Sequence, residues 1–363
     1  MARIDELIKE RNIPDALTTV RGKKVKTVKD FEKRREEIKK ILAEKEYGYI
    51  PSKPEHMTVE LVSEDIGFCA GKAPLKKLIF KFTNEGKEFS FPVSAVIPKH
   101  KGKCPAFVMI NFRPDVPDRY LPSERIADRG YAVFSFYYKD VAGDDNDFKS
   151  NCAKHLCKNR RSKTAPGKIA MWAWAAMRVM DYIETLPEID AENVAVVGHS
   201  RLGKTALVAG GYDERFKYVI SNDSGCSGAA ITRGKIGETV PRITTVFPYW
   251  FCPRYTEEAE DSCNAPYDQN FLTALTVPRH LMIGSAEEDS WADPTSEFMN
   301  AVMTNEAYAI YKMTGLVHEG EVPAPKTVLG DGDSLYHVRH GRHYFSLEDW
   351  EEYMNFIDKY VKK

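Results

Sequence analysis

The sequence predicts an α/β fold: a mainly parallel sheet with helices on both faces and an antiparallel N-terminal start. Three observations carry this. The run 106–110 is continuously apolar, and 131–137, 194–197, 218–221 and 280–284 are largely so, as in strands buried on both faces. Helical segments alternate with them, and right-handed crossovers turn such an alternation into a parallel sheet. Before them, the strand-like runs 75–82 and 89–97 meet at Asn84-Glu85-Gly86, a turn signal that makes the beginning antiparallel.

With 363 residues, 43% of them hydrophobic, the chain can bury a large core. Residues 1–56 read as an N-terminal helical extension, and 57–363 as one domain with insertions near 144–166 and 225–278. A formal charge of −1 gives no basic field for nucleic acid or a membrane surface, so neither is expected as a partner.

No apolar run approaches the ~20 residues that span a bilayer, and Met1-Ala2-Arg3-Ile4-Asp5-Glu6 is charged where a secretory leader is apolar. A cytoplasmic protein is the expectation, or a secreted one whose leader was removed. The seven cysteines are scattered and odd in number, which points to reduced thiols. His155, His280, His318, His337 and His340 show no metal-ligand spacing, and neither a metal nor another cofactor is expected.

Residues 1–29 are polar and lack periodicity. From Asp30, Phe31, Ile38, Ile41 and Leu42 share one helical face among Lys, Arg and Glu, and Gly48 closes an amphipathic helix whose charges read as a solvated face. A strand at 58–62 precedes the two that meet at the turn. Between strands 106–110 and 131–137 a short crossover helix fits at 123–129, and 144–166 is a polar, cationic surface excursion.

The helix 169–186 is apolar almost all round, so it is buried, and Trp172 and Trp174 are core residues. Residues 224–278 are long and irregular around Phe247-Pro248-Tyr249-Trp250-Phe251, and a loop region of that size is more often functional than idle. Helices at 295–303 and 306–313, a strand near 336–338 and a closing amphipathic helix at 346–360 complete the chain.

The chain is organised around 194–205, where Val194-Ala195-Val196-Val197 runs into Gly198-His199-Ser200-Arg201-Leu202-Gly203-Lys204-Thr205. Two chemistries compete for this strand, turn and helix. One is a nucleophile elbow that lifts the Ser200 hydroxyl above the sheet edge. The other is a phosphate loop, since Gly198 to Thr205 matches GxxxxGK[ST].

A phosphate loop follows the first strand of its domain and needs a magnesium-holding Asp on another strand. Here buried strands precede the motif, and bulky Arg201-Leu202 occupies the cradle. An α/β hydrolase needs Ser, acid and His in that order, which Ser200, Asp289 and His343 supply, each beyond a predicted strand. The backbone N–H of Arg201 and a donor from Asn111-Phe112-Arg113 are the expected oxyanion hole. Arg201 and Lys204 put two cations at the mouth, which favours an anionic substrate, although Lys204 on spacing alone equally suits a structural ion pair.

The second glycine comes one residue later than in GxSxG. With Lys204 following, the stretch resembles the GCSRNGK signature of glucuronoyl esterases, carbohydrate esterase family 15, and more closely the GHSRxGKTAL of their bacterial branch. The likeness extends to Ser221-Asn222-Asp223-Ser224-Gly225-Cys226-Ser227-Gly228-Ala229-Ala230, to Gly237-Glu238-Thr239, to the aromatic block, to the segment around Asp289-Ser290-Trp291, and to Gly341-Arg342-His343.

The resemblance implies an α/β-hydrolase fold, a serine carboxylic ester hydrolase without cofactor, Ser200 as nucleophile and His343 as base. It admits two acids: Asp289 at the late-strand position, or Asp223 after the strand that follows the nucleophile helix. Members of the second type carry the longer Glu, so Asp289 is preferred. It further implies Arg201 at the oxyanion and Lys204, Glu238 and Trp291 around a glucuronate ring. The implied reaction is hydrolysis of the 4-O-methyl-glucuronoyl ester that links xylan to lignin alcohols, on a glucuronoxylan-derived carbohydrate substrate. The rivals are a sugar acetyl (acetyl xylan) esterase and, from another class, a phosphate-loop nucleotide-binding protein.

Overall fold

The computed structural model describes residues 3–100 and 102–361, so Met1 and Ala2 in the amino-terminal reading lie outside the described residues. Ten strands form one sheet: β1 (His56–Asp65), β2 (Leu75–Asn84), β3 (Lys87–Val96), β4 (Cys104–Asn111), β5 (Ala132–Tyr137), β6 (Ile189–His199), β7 (Tyr218–Asn222), β8 (His280–Ala286), β9 (Thr327–Leu329) and β10 (Leu335–Arg339). Their order is β1-β2-β3-β5-β4-β6-β7-β8-β10-β9. From β5 to β10 neighbours are parallel, whereas β1, β2 and β3 and the edge strand β9 pair antiparallel.

This is the expected α/β-hydrolase architecture, and local chemistry accounts for it. The β2–β3 hairpin turns through Glu85 and Gly86, both at positive φ, the conformation that a two-residue turn between twisted strands requires. In β4, Ala106, Val108 and Ile110 face one core layer while Phe107 and Met109 face the other, so a continuous apolar run serves two cores at period two. The helices Lys168–Ile183 and Arg201–Tyr212 cover the first layer. Ser123–Asp128 and Leu347–Ile357 cover the second.

Trp172 and Trp174 are fully buried, and each indole N–H finds a backbone carbonyl, of Ala142 and Ser52 respectively. β1 is mostly exposed and carries Glu60, Glu64 and Asp65 among its residues, charges that protect a sheet edge. All seven cysteines are free thiols. No described helix is long and apolar enough to cross a membrane.

Three expectations need correction. The first 29 residues contain a helix, Ile4–Glu10, whose Ile4 is buried; under two turns long, it leaves no period to read. The charges of Val28–Leu42 are not all solvated. Arg34 and Arg35 are buried and donate to the carbonyls of Ala16, Leu275 and Val277, so their guanidinium groups satisfy loop backbone inside the protein.

The third concerns 144–166, which is not wholly at the surface; the irregular stretch 224–278 carries short helices as well. In 144–166 Cys152, Ala153 and Leu156 are buried, and Asp144 reaches the site described below. The stretch 224–278 is irregular as far as Thr239 and then includes the short helices Val240–Val246, Pro253–Glu257 and Asn270–Ala274, each too brief for an amphipathic period.

Candidate active site

Four parallel strands deliver the site at their carboxyl ends. β6 ends at His199, and Ser200 then adopts φ 57° and ψ −129° before the helix Arg201–Tyr212 starts. A non-glycine residue at positive φ is strained, and the surroundings hold it: the Ser200 N–H donates to Asn222 O at 2.8 Å, while its carbonyl accepts from Gly203 N–H at 2.8 Å. The late second glycine has a steric reason. A Cβ on Gly198 would lie 2.1 Å from Leu202 O, and one on Gly203 would lie 2.9 Å from the Ser224 Cβ. Both glycines let the turn close tightly against the neighbouring strand end.

Beyond β8, Asp289 Oδ2 lies 2.6 Å from His343 Nδ1, and Oδ1 accepts the Ala292 N–H at 3.1 Å. The Asp289 side chain is 3% exposed and that of His343 is 42% exposed. Burial pushes the Asp289 carboxyl up, but the hydrogen bond and charge of His343, with the Ala292 N–H, outweigh it and leave it below the usual range. An ionised Asp289 on Nδ1 fixes the tautomer and leaves Nε2 as the proton acceptor.

Asp223, just beyond β7, is placed differently. It is at φ 44°, its Oδ2 accepts from Arg339 Nη2 at 3.1 Å, and its Oδ1 is buried without a partner. Burial, then the charges of Asp349 and Glu297, push its carboxyl well above the ordinary range. Its Oδ2 lies 3.9 Å from His199 Nδ1, and although a His343 ring nitrogen lies within 4.8 Å, no hydrogen bond joins the two; His343 Nδ1 is bonded to Asp289.

His199, which the sequence reading passed over, is buried beside the nucleophile. Its Nδ1 meets Asn222 Oδ1 at 2.7 Å, and its ring lies 4.5 Å from that of His343. Burial and the nearby His343 depress it to about 3, so it stays neutral. Among the described residues His199, Asp223 and His343 offer ligand atoms within 4.8 Å of one another, the one such trio. The Arg339 guanidinium already supplies a cation to Asp223, and the His343 Nδ1 is engaged with Asp289.

A cavity of about 240 Å³ opens over the elbow, lined by Ser200, Arg201, Lys204, Glu238, Trp291 and His343, with Asp223, Phe247 and Trp250 in its walls. Lys204, buried, donates from Nζ to the carbonyls of Ser224 and Cys226, both at 2.5 Å, and lies 3.6 Å from Glu238 Oε2. Glu238 is docked by its neighbour: Gly237, at φ 72°, lies so close to Ser290 and Trp291 that a Cβ would meet Ser290 O at 2.3 Å. Trp291 is 50% exposed and lines the cavity.

Arg201 is held by Asp144, to which its Nη1 is hydrogen bonded, and its guanidinium lies 4.6 Å from the Trp250 ring. Asp144 also accepts from Trp250 Nε1 at 2.7 Å and from Tyr138 OH at 2.9 Å. Asp144 escaped the sequence reading because it opens a polar stretch without a motif. The one available signal was its place shortly after β5, at the same edge of the sheet as the nucleophile.

Two chemical expectations change. Both cations at the mouth are already compensated, Arg201 by Asp144 and Lys204 by Glu238, so they do not make an anion trap. They are charged hydrogen-bond donors aimed into a cavity. The expected oxyanion donor from Asn111-Phe112-Arg113 is also absent: the Phe112 N–H is turned onto Asn111 Oδ1 at 2.7 Å, and Arg113 packs over Tyr120. None of the three lines the cavity. Arg201, by contrast, lines it.

Known proteins similar to this chain are carbohydrate esterases. A family model for the glucuronyl esterases of fungi matches residues 80–315. The curated carbohydrate esterase MZ0003, from an unknown prokaryotic organism, is 34% identical over 96% of this chain and 89% of its own length. The 4-O-methyl-glucuronoyl methylesterase of Neurospora crassa is 31% identical over 78% of this chain and 69% of its own. Among solved structures, a promiscuous CE15 esterase from a marine bacterial metagenome superposes with a TM-score of 0.87 at 31% identity, covering 96% of this chain and 97% of that one. A glucuronoyl esterase from Solibacter usitatus gives 0.89 at 29% identity, with coverage of 96% and 97%.

Proposed function

This chain belongs to the glucuronoyl esterase family, carbohydrate esterase family 15, and from that premise we propose that it hydrolyses the 4-O-methyl-glucuronoyl ester between a xylan side chain and an alcohol, with Ser200, His343 and Asp289 as its triad. It is a carboxylic ester hydrolase. The observation that carries the residue assignment is the 2.6 Å pair of His343 Nδ1 and Asp289 Oδ2 beside a cavity shared with Ser200.

In this mechanism Ser200 Oγ attacks the ester carbonyl carbon as His343 Nε2 takes its proton. The tetrahedral oxyanion meets the N–H of Arg201 at the helix start and its guanidinium, which Asp144 and Trp250 hold ready. Collapse releases the alcohol, protonated by His343, and leaves an acyl-serine. Water, deprotonated by the same histidine, then frees the uronic acid. Asp289 stays ionised throughout and stabilises the imidazolium.

The esterified uronate is neutral in the ground state, which suits compensated rather than free cations. Lys204 donates to a ring hydroxyl, Glu238 accepts from one, and Trp291 stacks on the sugar face. The phosphate-loop reading has no support in the geometry, because Glu238 stands 3.6 Å from Lys204 where an anion would bind.

The test is turnover of benzyl glucuronate against an acetylated sugar ester. Faster cleavage of the uronate ester is expected, and cleavage of acetate alone would overturn the substrate assignment. Loss of the charged donor in Lys204→Ala is expected to raise KM for the uronate ester roughly 10- to 100-fold, the worth of a charge-assisted hydrogen bond, with little change for the acetyl ester. Equal effects on both would make Lys204 a purely structural residue.

A further inference from the structure

His343 sits in a loop with no secondary structure to hold it. β10 ends at Arg339, and residues 340–346 run irregularly to the closing helix. The outward ties of this loop are exposed ion pairs, His340 with Glu287 and Arg342 with Glu288, which contribute little at a protein surface. A reacting imidazole nevertheless has to be held closely, since a misplacement of about 1 Å costs on the order of 10²-fold in rate.

Inward, the loop is tied by the Glu288 N–H to Gly341 O at 3.0 Å and by the His343–Asp289 pair, but one side chain holds most of its carbonyls. Arg339 is buried, and its Nη1 donates to His340 O at 3.0 Å and Arg342 O at 3.2 Å. Its Nη2 donates to Arg342 O at 3.2 Å, to Tyr344 O and to Asp223 Oδ2 at 3.1 Å, while Nε donates to Asp349 Oδ2 at 2.9 Å. The guanidinium thus holds the carbonyls on both sides of His343. Two carboxylates from separate elements hold the guanidinium in turn: Asp223 beyond β7 and Asp349 in the closing helix.

Asp349 is itself fixed by His337 Nε2 at 2.8 Å and by the N–H and hydroxyl of Ser346, at 2.8 and 2.9 Å. Only the planar fork of arginine presents five N–H donors in this arrangement.

We propose that Arg339 is the positioning residue of the esterase: it clamps the His343 loop to the strand ends, and Asp223 serves as an anchor of that clamp. The proposal rests on the reaction given above, in which His343 is the base. Arg339 does not line the cavity, so it acts through His343 and not on substrate. The same arrangement explains why a carboxylate at the Asp223 position can stand in the catalytic cavity without serving the histidine.

Arg339→Lys keeps a cation between Asp223 and Asp349 but cannot reach the three carbonyls. Steady-state kinetics on benzyl glucuronate are expected to show kcat lowered by about 10²-fold with KM within about twofold of the parent. In Arg339→Ala, added guanidinium chloride at millimolar concentration is expected to restore part of the lost kcat, a rescue a purely structural defect would not show. Should Arg339→Ala fail to fold, the lysine variant carries the test through its kcat and KM.

Folded Arg339→Lys with kcat within about twofold of the parent, or with KM raised and kcat kept, would overturn the clamp. His343→Ala, assayed alongside, separates this from the underlying reading: turnover surviving there overturns the triad, whereas full turnover in Arg339→Lys beside an inactive His343→Ala overturns the clamp alone.

Discussion

Asp289 and Asp223 stand at comparable places, each just beyond the carboxyl end of a central parallel strand and each almost wholly buried, yet their environments push them in opposite directions. Asp289 faces an imidazole and a backbone N–H and ionises more readily than usual. Asp223 faces a guanidinium on one oxygen and nothing on the other, among further carboxylates, and holds its proton well above the usual range. Sheet position therefore brings an acid to the site without deciding what it does. The partner on its inner oxygen decides: a proton carrier in one case, a fixed cation in the other.

The most drastic way to break this comparison is to remove each charge in turn. Asp289→Asn is expected to lower kcat by about 10⁴, since an amide favours the wrong tautomer of His343. Asp223→Asn keeps an acceptor for Arg339 and is expected to cost less than about tenfold, the scale of one hydrogen bond. Kinetics on the uronate ester check both, and the reverse ranking would exchange the two roles.

A smaller effect extends the comparison to Asp144, another carboxylate committed to a cation. Asp144→Ala releases Arg201 from its place against Trp250, and kcat is expected to fall by about tenfold with KM nearly unchanged, because the lost alignment matters at the oxyanion. A change confined to KM would place Arg201 in ground-state binding instead.

The smallest effects are in stability against pH, and they have opposite signs. The depressed Asp289 contributes stability above its unfolded value of about 3.9, lost as pH falls through its lower folded value. Asp223 is raised, so its contribution is present below about 3.9 and declines as pH rises toward its folded value. Thermal unfolding followed from acid to neutral pH is expected to lose its acid-side slope in Asp289→Asn, and to flatten on the neutral side in Asp223→Asn.

The central sheet was legible because β4 to β8 are apolar runs flanked by turn signals, and the elbow because glycine spacing and chain order are local properties. The resemblance to a known family brought Glu238 and Trp291 into view. Asp144, His199 and Arg339 were not legible in this way. Each owes its importance to partners brought by other elements: Arg201 and Trp250 for Asp144, His343 for His199, and Asp223, Asp349 and three loop carbonyls for Arg339.

The same limit bears on the cations. Spacing left Lys204 between substrate binding and an ion pair and gave Arg201 no partner; Glu238 and Asp144 are folded against them only in the tertiary structure. Arg34 and Arg35 likewise pass for a solvated helix face until distant loop carbonyls arrive. In each case residue type was readable, while the compensating partner depended on tertiary structure.

The most direct test of the claim that Asp289 serves His343 while Asp223 serves Arg339 is the proton NMR spectrum in the low-field imidazole N–H region. A hydrogen-bonded His343 Nδ1–H resonance is expected in the parent protein, retained in Asp223→Asn and lost or moved strongly upfield in Asp289→Asn. Its loss in Asp223→Asn and persistence in Asp289→Asn would contradict the account.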